Sequence, residues 1–259
     1  MSIHYIEFQD VYKAFGDNPV LEGVSFYVDP GETLVVLGRS GMGKSVTLEH
    51  IMGFLKPDAG RVWVAEEDIT DYNEAQLQKI RQKVTMVFQS GALFDSLTVA
   101  ENVGFPLRER ARLDGQALEE EEIERRILEL LETVELDEKA DMMPADLSTG
   151  MRRAVAIARA LAAEPDCILY DEPTTMVDPL MAQTITELIQ RLKEKFHKTS
   201  IVVTHDVRLA ERVADRMVML HQGRVAFFGT PAEWQASGDP EVERFRALDA
   251  LPGAEAVSA

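Results

Sequence analysis

Residues 33–45 read TLVVLGRSGMGKS, and the change of character within them decides the fold. Thr33 to Leu37 is a short, continuously apolar run, the pattern of a parallel strand buried on both faces. It breaks into Gly38, Arg39, Ser40, Gly41, Met42, Gly43, Lys44 and Ser45, which satisfy the spacing G-x-x-x-x-G-K-[ST]. Glycines so placed let successive backbone N–H groups wrap an anion. The helix predicted to follow, as far as about Leu55 before Pro57, adds the positive end of its dipole. The anion that fits is a nucleotide's phosphate chain, with Lys44 reaching the β- and γ-phosphates and the Ser45 hydroxyl ligating Mg²⁺. The alternative is an ordinary glycine-rich strand–helix turn, and the strand before and helix after argue against it.

A second stretch adds chemistry to binding. Residues 147–153 read LSTGMRR, an apolar helical pattern follows, and residues 168–173 read ILYDEP. The latter is a buried strand delivering Asp171 and Glu172 to its C-terminal end, where α/β sheets bind ligands. One carboxylate can hold Mg²⁺ through water and the other can polarise an attacking water. Pro173 biases Glu172 towards extended backbone. Upstream, Ser148 or Thr149 is suited to cap the helix beginning near Gly150. Arg152 and Arg153 occupy its first turn, where a lone helix prefers acids by about 0.3–1 kcal/mol per charge. A turn that faces an anion accounts for them; solvent-facing arginines are the other reading. Gln89 and His205 each follow a buried strand and are expected at the same sheet edge as Asp171. Phe15 either stacks on an adenine or belongs to the core.

Outward from these motifs, residues 3–8, 20–28 and 61–65 read as strands of an antiparallel sheet with one wet face. Residues 84–88, 167–171 and 200–204 read as further buried strands, with a helix over 180–195. Strand–helix alternation predicts a doubly wound parallel sheet. Between about 90 and 160 the chain is helical. Residues 119–136 place Ile123, Ile127, Leu130, Leu131 and Val134 on one face, with Glu121/Arg125 and Glu122/Arg126 as i,i+4 pairs. A short helix is expected past Gly229, then a mobile tail over 251–259 rich in Ala and Gly.

Bulk properties narrow the function. The 259 residues suit one two-lobed unit, and 46% hydrophobic residues supply its core. With 27 basic against 45 acidic residues the net charge is −18, which argues against unaided binding to nucleic acid or to an anionic membrane leaflet. The single cysteine, Cys167, lies in an apolar strand and permits no disulfide framework. Glu7 and Asp10 interrupt any signal-peptide pattern, and no apolar run approaches the roughly 18 residues of a membrane span. A cytosolic protein, or one peripheral on the cytosolic side and docked by another protein, is expected.

Taken together, the motifs resemble, in family order over residues 3–238, the nucleotide-binding subunit of an ABC transporter. The resemblance implies a P-loop NTPase with a RecA-like parallel core, an antiparallel β subdomain and an inserted helical subdomain over about 90–160. Residues 239–259 form a C-terminal extension. ATP and Mg²⁺ are the implied ligands. Phe15 matches the adenine-stacking loop, residues 38–45 with Val46 Walker A, Gln89 the Q-loop, residues 147–151 the signature, residues 168–172 Walker B, Asp178 the D-loop and His205 the switch histidine. Ser45, Gln89 and Asp171 are then the expected Mg²⁺ surroundings. Glu172 is the general base, His205 contacts the γ-phosphate, and Lys44 completes the catalytic set. The resemblance also implies a head-to-tail homodimer in which Ser148 and Gly150 of one subunit complete the other's ATP site.

Residues 89–103, QSGALFDSLTVAENV, continuing to FPLRE at 105–109, with Met151 closing the signature, are similar to the ATPases of MCE-type lipid transporters such as the Mla phospholipid system. The partners implied are an MlaE-like membrane permease, an MCE-domain lipid-binding protein and, in some systems, a STAS-domain protein. Membrane contact is then only through the permease, on the cytoplasmic side of the inner membrane, with no nucleic acid involved. Two departures matter, and a third, at Val46, is mild and carries no consequence. Thr149 replaces the signature's first glycine, which costs about 1–2 kcal/mol if that backbone needs positive φ. Met176 and Val177 replace a small residue and leucine, and Val46 replaces the common threonine. The competing functions are transport of another substrate, a regulatory ATP-binding module with weak hydrolysis, and a soluble ABC protein of translation or DNA repair. The last usually carries two cassettes or a coiled-coil insertion, and this chain has neither.

Overall fold

A computed structural model describes residues 3–114 and 119–249. The tail expected over 251–259 lies outside the described residues. Strands β1 (Ile6–Phe15) and β2 (Asn18–Val28) form an antiparallel hairpin, and β3 (Thr33–Leu37) starts a second sheet. The phosphate-loop sequence then leads into α1 (Lys44–Ile51). This helix ends sooner than expected, because Gly53 turns the chain in the left-handed region (φ 66°) ahead of Pro57. β4 (Ala59–Val64) and the short β5 (Glu67–Asp68) return to the first sheet, whose order is β2-β1-β4-β5, antiparallel throughout.

Helix α2 (Glu74–Lys83) follows, closed by a reciprocal cap between Asn73 and Gln76. β6 (Val84–Val87) then leads to the helical lobe of α3 (Val99–Asp114), α4 (Glu120–Thr133) and α5 (Thr149–Ala162), which pack on one another. In α4 the predicted stripe is realised, with Ile123, Ile127 and Leu131 buried. Arg126 pairs with Glu122 at 2.7 Å as expected. Arg125, by contrast, turns to Glu122 at 2.7 Å and to Glu129.

Next come β7 (Cys167–Asp171), α6 (Pro179–Phe196), β8 (Thr199–Thr204), α7 (Val207–Val213), β9 (Arg216–His221) and β10 (Arg224–Gly229), and the described chain ends in α8 (Pro231–Ala236) and α9 (Pro240–Asp249). The second sheet has the order β10-β9-β3-β8-β7-β6, parallel except for the β9–β10 hairpin. Its inner strands β3, β7, β8 and β9 are buried on both faces, and the two faces feed different cores. Val35 and Leu37 of β3, with Ile168 and Tyr170 of β7, join the core under the helical lobe. Leu34 and Val36, with Cys167 and Leu169, join the core shared with α1 and the antiparallel sheet. The sheet is thus clamped between two lobes, which fixes the C-terminal ends of β3, β6, β7 and β8 as one rim.

Candidate functional site

That rim carries the predicted chemistry. The phosphate loop needs glycine where it bends. A side chain on Gly43 (φ 90°) would meet Leu21 at 2.7 Å, and one on Gly38 would meet the Leu220 carbonyl at 2.8 Å. Lys44, only 6% exposed, folds back over the loop and donates to the carbonyls of Gly38 (2.7 Å) and Arg39 (3.2 Å). Its Nζ also lies 3.1 Å from Glu172 Oε1. The Ser45 hydroxyl donates to Asp171 Oδ1 at 3.1 Å.

Glu172 is the most heavily engaged group. Its Oε2 accepts from the Thr175 hydroxyl (2.8 Å) and lies 2.9 Å from His205 Nδ1. Burial by itself would raise the Glu172 pKa. The His205 hydrogen bond and the Lys44 charge outweigh it and hold the carboxylate down at about 2. Conversely, the hydrogen bond to Glu172 raises the His205 pKa. Asp171 moves the other way, raised by burial and by the neighbouring Glu172 charge against the Ser45 hydrogen bond. Adjacent carboxylates with opposed shifts are the pattern of groups given different tasks.

A cleft of about 360 Å³ opens over this rim, lined by Val20, Ser40, Gly41, Gly43, Lys44, Ser45, Val46, Gln89, Glu172, Thr175 and His205. The Ser45 hydroxyl, the Asp171 carboxylate and the Gln89 amide oxygen are hard donors of the kind Mg²⁺ takes beside a substrate phosphate. No cluster of three His, Cys, Asp or Glu exists among the described residues, and a Mg²⁺ shared with phosphates needs only one or two carboxylates. The donor set therefore fits the ion.

Of the predicted site residues, Gly38, Arg39, Met42 and Asp171 lie within two residues of lining residues in sequence without being among them, and Ser148, Gly150, Asp178 and Phe15 are absent from the cleft lining altogether. Ser148 caps α5, accepting from the Met151 N–H at 3.2 Å, and Asp178 caps α6, accepting from the Met181 N–H at 3.0 Å. Gly150 lies under Met181, whose Sδ would sit 2.0 Å from a Cβ added there. Phe15 is 48% exposed at the end of β1 and so is no core residue.

Three expectations are corrected. Glu172 is not extended but left-handed (φ 47°), because its N–H donates to the Val203 carbonyl at 2.9 Å and its own carbonyl is held from the other side. That second hold is Arg153, which faces no external anion. It is 4% exposed, and its guanidinium donates to the carbonyls of Glu172 (3.3 Å), Pro173 and Thr175. Arg152, half-buried, bonds within its own turn, to the Leu147 carbonyl at 2.8 Å and the Thr149 hydroxyl at 3.2 Å. Thr149 is the first residue of α5 and lies outside the positive-φ set, so the backbone cost foreseen for it does not arise. Strain falls instead on Met176 (φ 60°), which is 85% exposed beside Asp178. Thr175 was not anticipated. Its place three residues after Glu172 at a strand tip, within reach of a turn back, was the available signal.

Comparison with known proteins agrees with this geometry. The family model for "ABC transporter" matches residues 21–175. The sulfate/thiosulfate import ATP-binding protein CysA of Nitrosomonas europaea is 41% identical over 242 residues, covering 93% of this chain and 65% of that protein. The methionine import ATP-binding protein MetN of Brucella abortus is 37% identical over 236 residues, covering 91% and 62%. This chain therefore spans less than two thirds of the length of these relatives. Among solved structures, the ATP-binding cassette MJ0796, a dimer in a post-hydrolysis state bound to ADP and Pi, superposes with a TM-score of 0.78 at 35% identity, covering 87% of this chain and 98% of that one.

Proposed function

This chain belongs to the ABC transporter family, and we propose from that premise that it binds and hydrolyses ATP as the energising subunit of a transporter. The observation carrying this reading is the grip on Glu172. A buried carboxylate at the phosphate-loop rim is held by the loop's own Lys44 and by His205. Lys44 pairs with Glu172 at 3.1 Å. A phosphate chain entering the loop draws Lys44 to itself and leaves the carboxylate free to take a proton from water. His205, whose pKa its bond to Glu172 raises, then faces the terminal phosphate. Ser45, Asp171 and Gln89 would hold Mg²⁺, which when bound neutralises developing phosphate charge. Gly38, Arg39, Ser40, Gly41, Met42, Gly43 and Val46 wrap or flank the phosphates, and Phe15, exposed beside the loop's sheet, stacks the base.

The cleft of one chain lacks the residues that cap α5 and α6, which supports a head-to-tail dimer in which Ser148, Gly150 and Asp178 serve the partner's nucleotide. We assign residues 3–238 to the ATPase domain and 239–259 to an extension of it. No helix among the described residues is long and apolar enough to cross a membrane, which supports a separate permease and a peripheral place on its cytoplasmic side. Phe94 and Phe105, 43% and 40% exposed with rings 4.8 Å apart, offer an apolar patch on the 89–109 segment for that partner. The wording of that segment and Met151 support phospholipid as the cargo, with an MlaE-like permease and an MCE-domain protein. The second reading, import of a small solute, is favoured by the sulfate and methionine relatives.

Phosphate release from Mg·ATP, measured per chain against protein concentration, tests the core of this reading. The specific rate should rise with concentration as dimers form; no release at any concentration overturns it. Mass spectrometry of the complex purified from solubilised membranes decides the cargo. An MCE-domain partner with bound phospholipid supports lipid transport, and a small-solute binding protein replaces that reading.

A further inference from the structure

We infer that Arg153 is the positioning residue of the Glu172 carboxylate. The inference rests on the reading of Glu172 as the base. Buried cations are expensive and are ordinarily matched by carboxylates. Among the described residues the hydrogen bonds of the Arg153 guanidinium end on backbone carbonyls instead, and its Nε is buried with no partner. Those carbonyls belong to Glu172, Pro173 and Thr175, a segment that opens on the left-handed Glu172 and is followed by the left-handed Met176. Such conformations persist where surrounding contacts over-determine them.

The planar fork does this twice over. It fixes the backbone of the carboxylate, and it fixes the backbone of Thr175, whose hydroxyl holds Glu172 Oε2 at 2.8 Å. Arg153 reaches this segment from α5, the helix that begins at the Ser148 cap. The stretch assigned to the partner's nucleotide and the carboxylate assigned to the chain's own nucleotide are thereby tied through one side chain.

The test uses the full chain with Arg153→Gln and Arg153→Lys, reading kcat, KM for Mg·ATP and the NMR titration of His205. The groups that set the His205 midpoint are Glu172, Lys44 and Asp206, so the midpoint reports where the Glu172 carboxylate sits. In both variants kcat should fall about 10–100-fold, as small misplacements of a reacting group do, with KM changed less than about threefold. The His205 midpoint should move down towards 6.5. Lysine should not rescue, since a point charge cannot reproduce the fork. A His205 midpoint equal to wild type overturns the proposal whatever the rate, and so does a kcat within about twofold of wild type. If Arg153→Gln fails to fold by circular dichroism, Arg153→Lys carries the test. If neither folds, Arg153 is a staple of the fold and the proposal is overturned. Wild-type hydrolysis by Glu172→Gln would defeat the base reading alone, because the His205 titration still measures the hold of Arg153 on the carboxylate.

Discussion

Replacing Glu172 by glutamine keeps the size of the side chain and removes its charge, and the structure predicts opposite effects on binding and on turnover. Held from the ordinary 4.5 down to about 2, the carboxylate favours its charged form by roughly 3 kcal/mol. Part of that comes from Lys44 at 3.1 Å and part from His205 at 2.9 Å. The Lys44 share is an obstacle to nucleotide, since the phosphates must draw the ammonium away from Glu172. That net preference corresponds to roughly 200-fold in an equilibrium constant, and the Lys44 share of it predicts roughly 3–30-fold tighter ATP binding. Loss of the base should meanwhile lower hydrolysis about 10²–10⁴-fold.

Equilibrium titration with a fluorescent ATP analogue reads the first effect, and phosphate release at saturating Mg·ATP reads the second. Turnover within about threefold of wild type refutes the base role. Unchanged or weaker ATP binding refutes the claim that Lys44 is tied up by Glu172. The linkage has a definite sign as well. A carboxylate with a depressed folded pKa adds stability above its unfolded value of 4.5 and loses it as pH falls towards about 2. The nucleotide-free wild type should therefore melt above Glu172→Gln at neutral pH, and the gap should close in strong acid.

Gly150→Ala should destabilise the chain by about 1–3 kcal/mol through overpacking against Met181, and Met181→Ala in the same chain should restore the melting temperature. If hydrolysis stays low in the refolded double variant, Gly150 also faces nucleotide; if it recovers in full, packing was the residue's whole role. Asp171, whose pKa burial raises above 3.8, keeps its proton to a higher pH than a free carboxyl, so Mg·ATP affinity should fall as acid protonates it. Isothermal titration at stepped pH should show that fall in wild type and lose it in Asp171→Asn, while ATP with EDTA stays flat in both. An equal pH response in the variant removes Asp171 from the Mg²⁺ surroundings.

Much of the site was legible because each element of it ends a buried strand. Residues 34–37, 167–170 and 201–203 announce themselves by unbroken apolar runs, residues 84–88 by one interrupted only at Thr85, and polar residues follow each run at the rim. What the sequence concealed depended on contacts from far along the chain. Pro173 does favour extended backbone at Glu172, but a local preference gives way to hydrogen bonds to the Val203 carbonyl on one side and from Arg153 on the other. The direction of Arg153 was hidden only by its charge. Gly150, Arg153 and Ile157 are spaced three and four apart and all are buried, so helix phase already placed Arg153 inward. Two further elements had local signals that went unread. Asn73 with Gln76 marks the start of α2, and the Gln222–Gly223 pair, both at positive φ, turns β9 into β10.

In the proposed head-to-tail dimer, the tie through Arg153 also bears on how the two sites keep in step. From the Ser148 cap to Arg153 is five residues, about 7.5 Å of helix, and a helix transmits displacement over that length with little loss. Any shift of the first turn of α5 must then either carry the Glu172 segment with it or break the bonds to its carbonyls. The second course leaves a buried guanidinium unpaired, at a cost of several kcal/mol, and so the first is favoured. The departures at Thr149 and Met176 belong to this same linkage. Thr149 sits in an unstrained helical turn and its hydroxyl accepts from Arg152 at 3.2 Å, which stiffens the end of the rod. Met176 closes the held segment in a left-handed, exposed conformation, where contact with a second copy would bear directly on the strain that Arg153 maintains. Substitutions at either residue should therefore act on the coordination of two sites before they act on nucleotide binding at one.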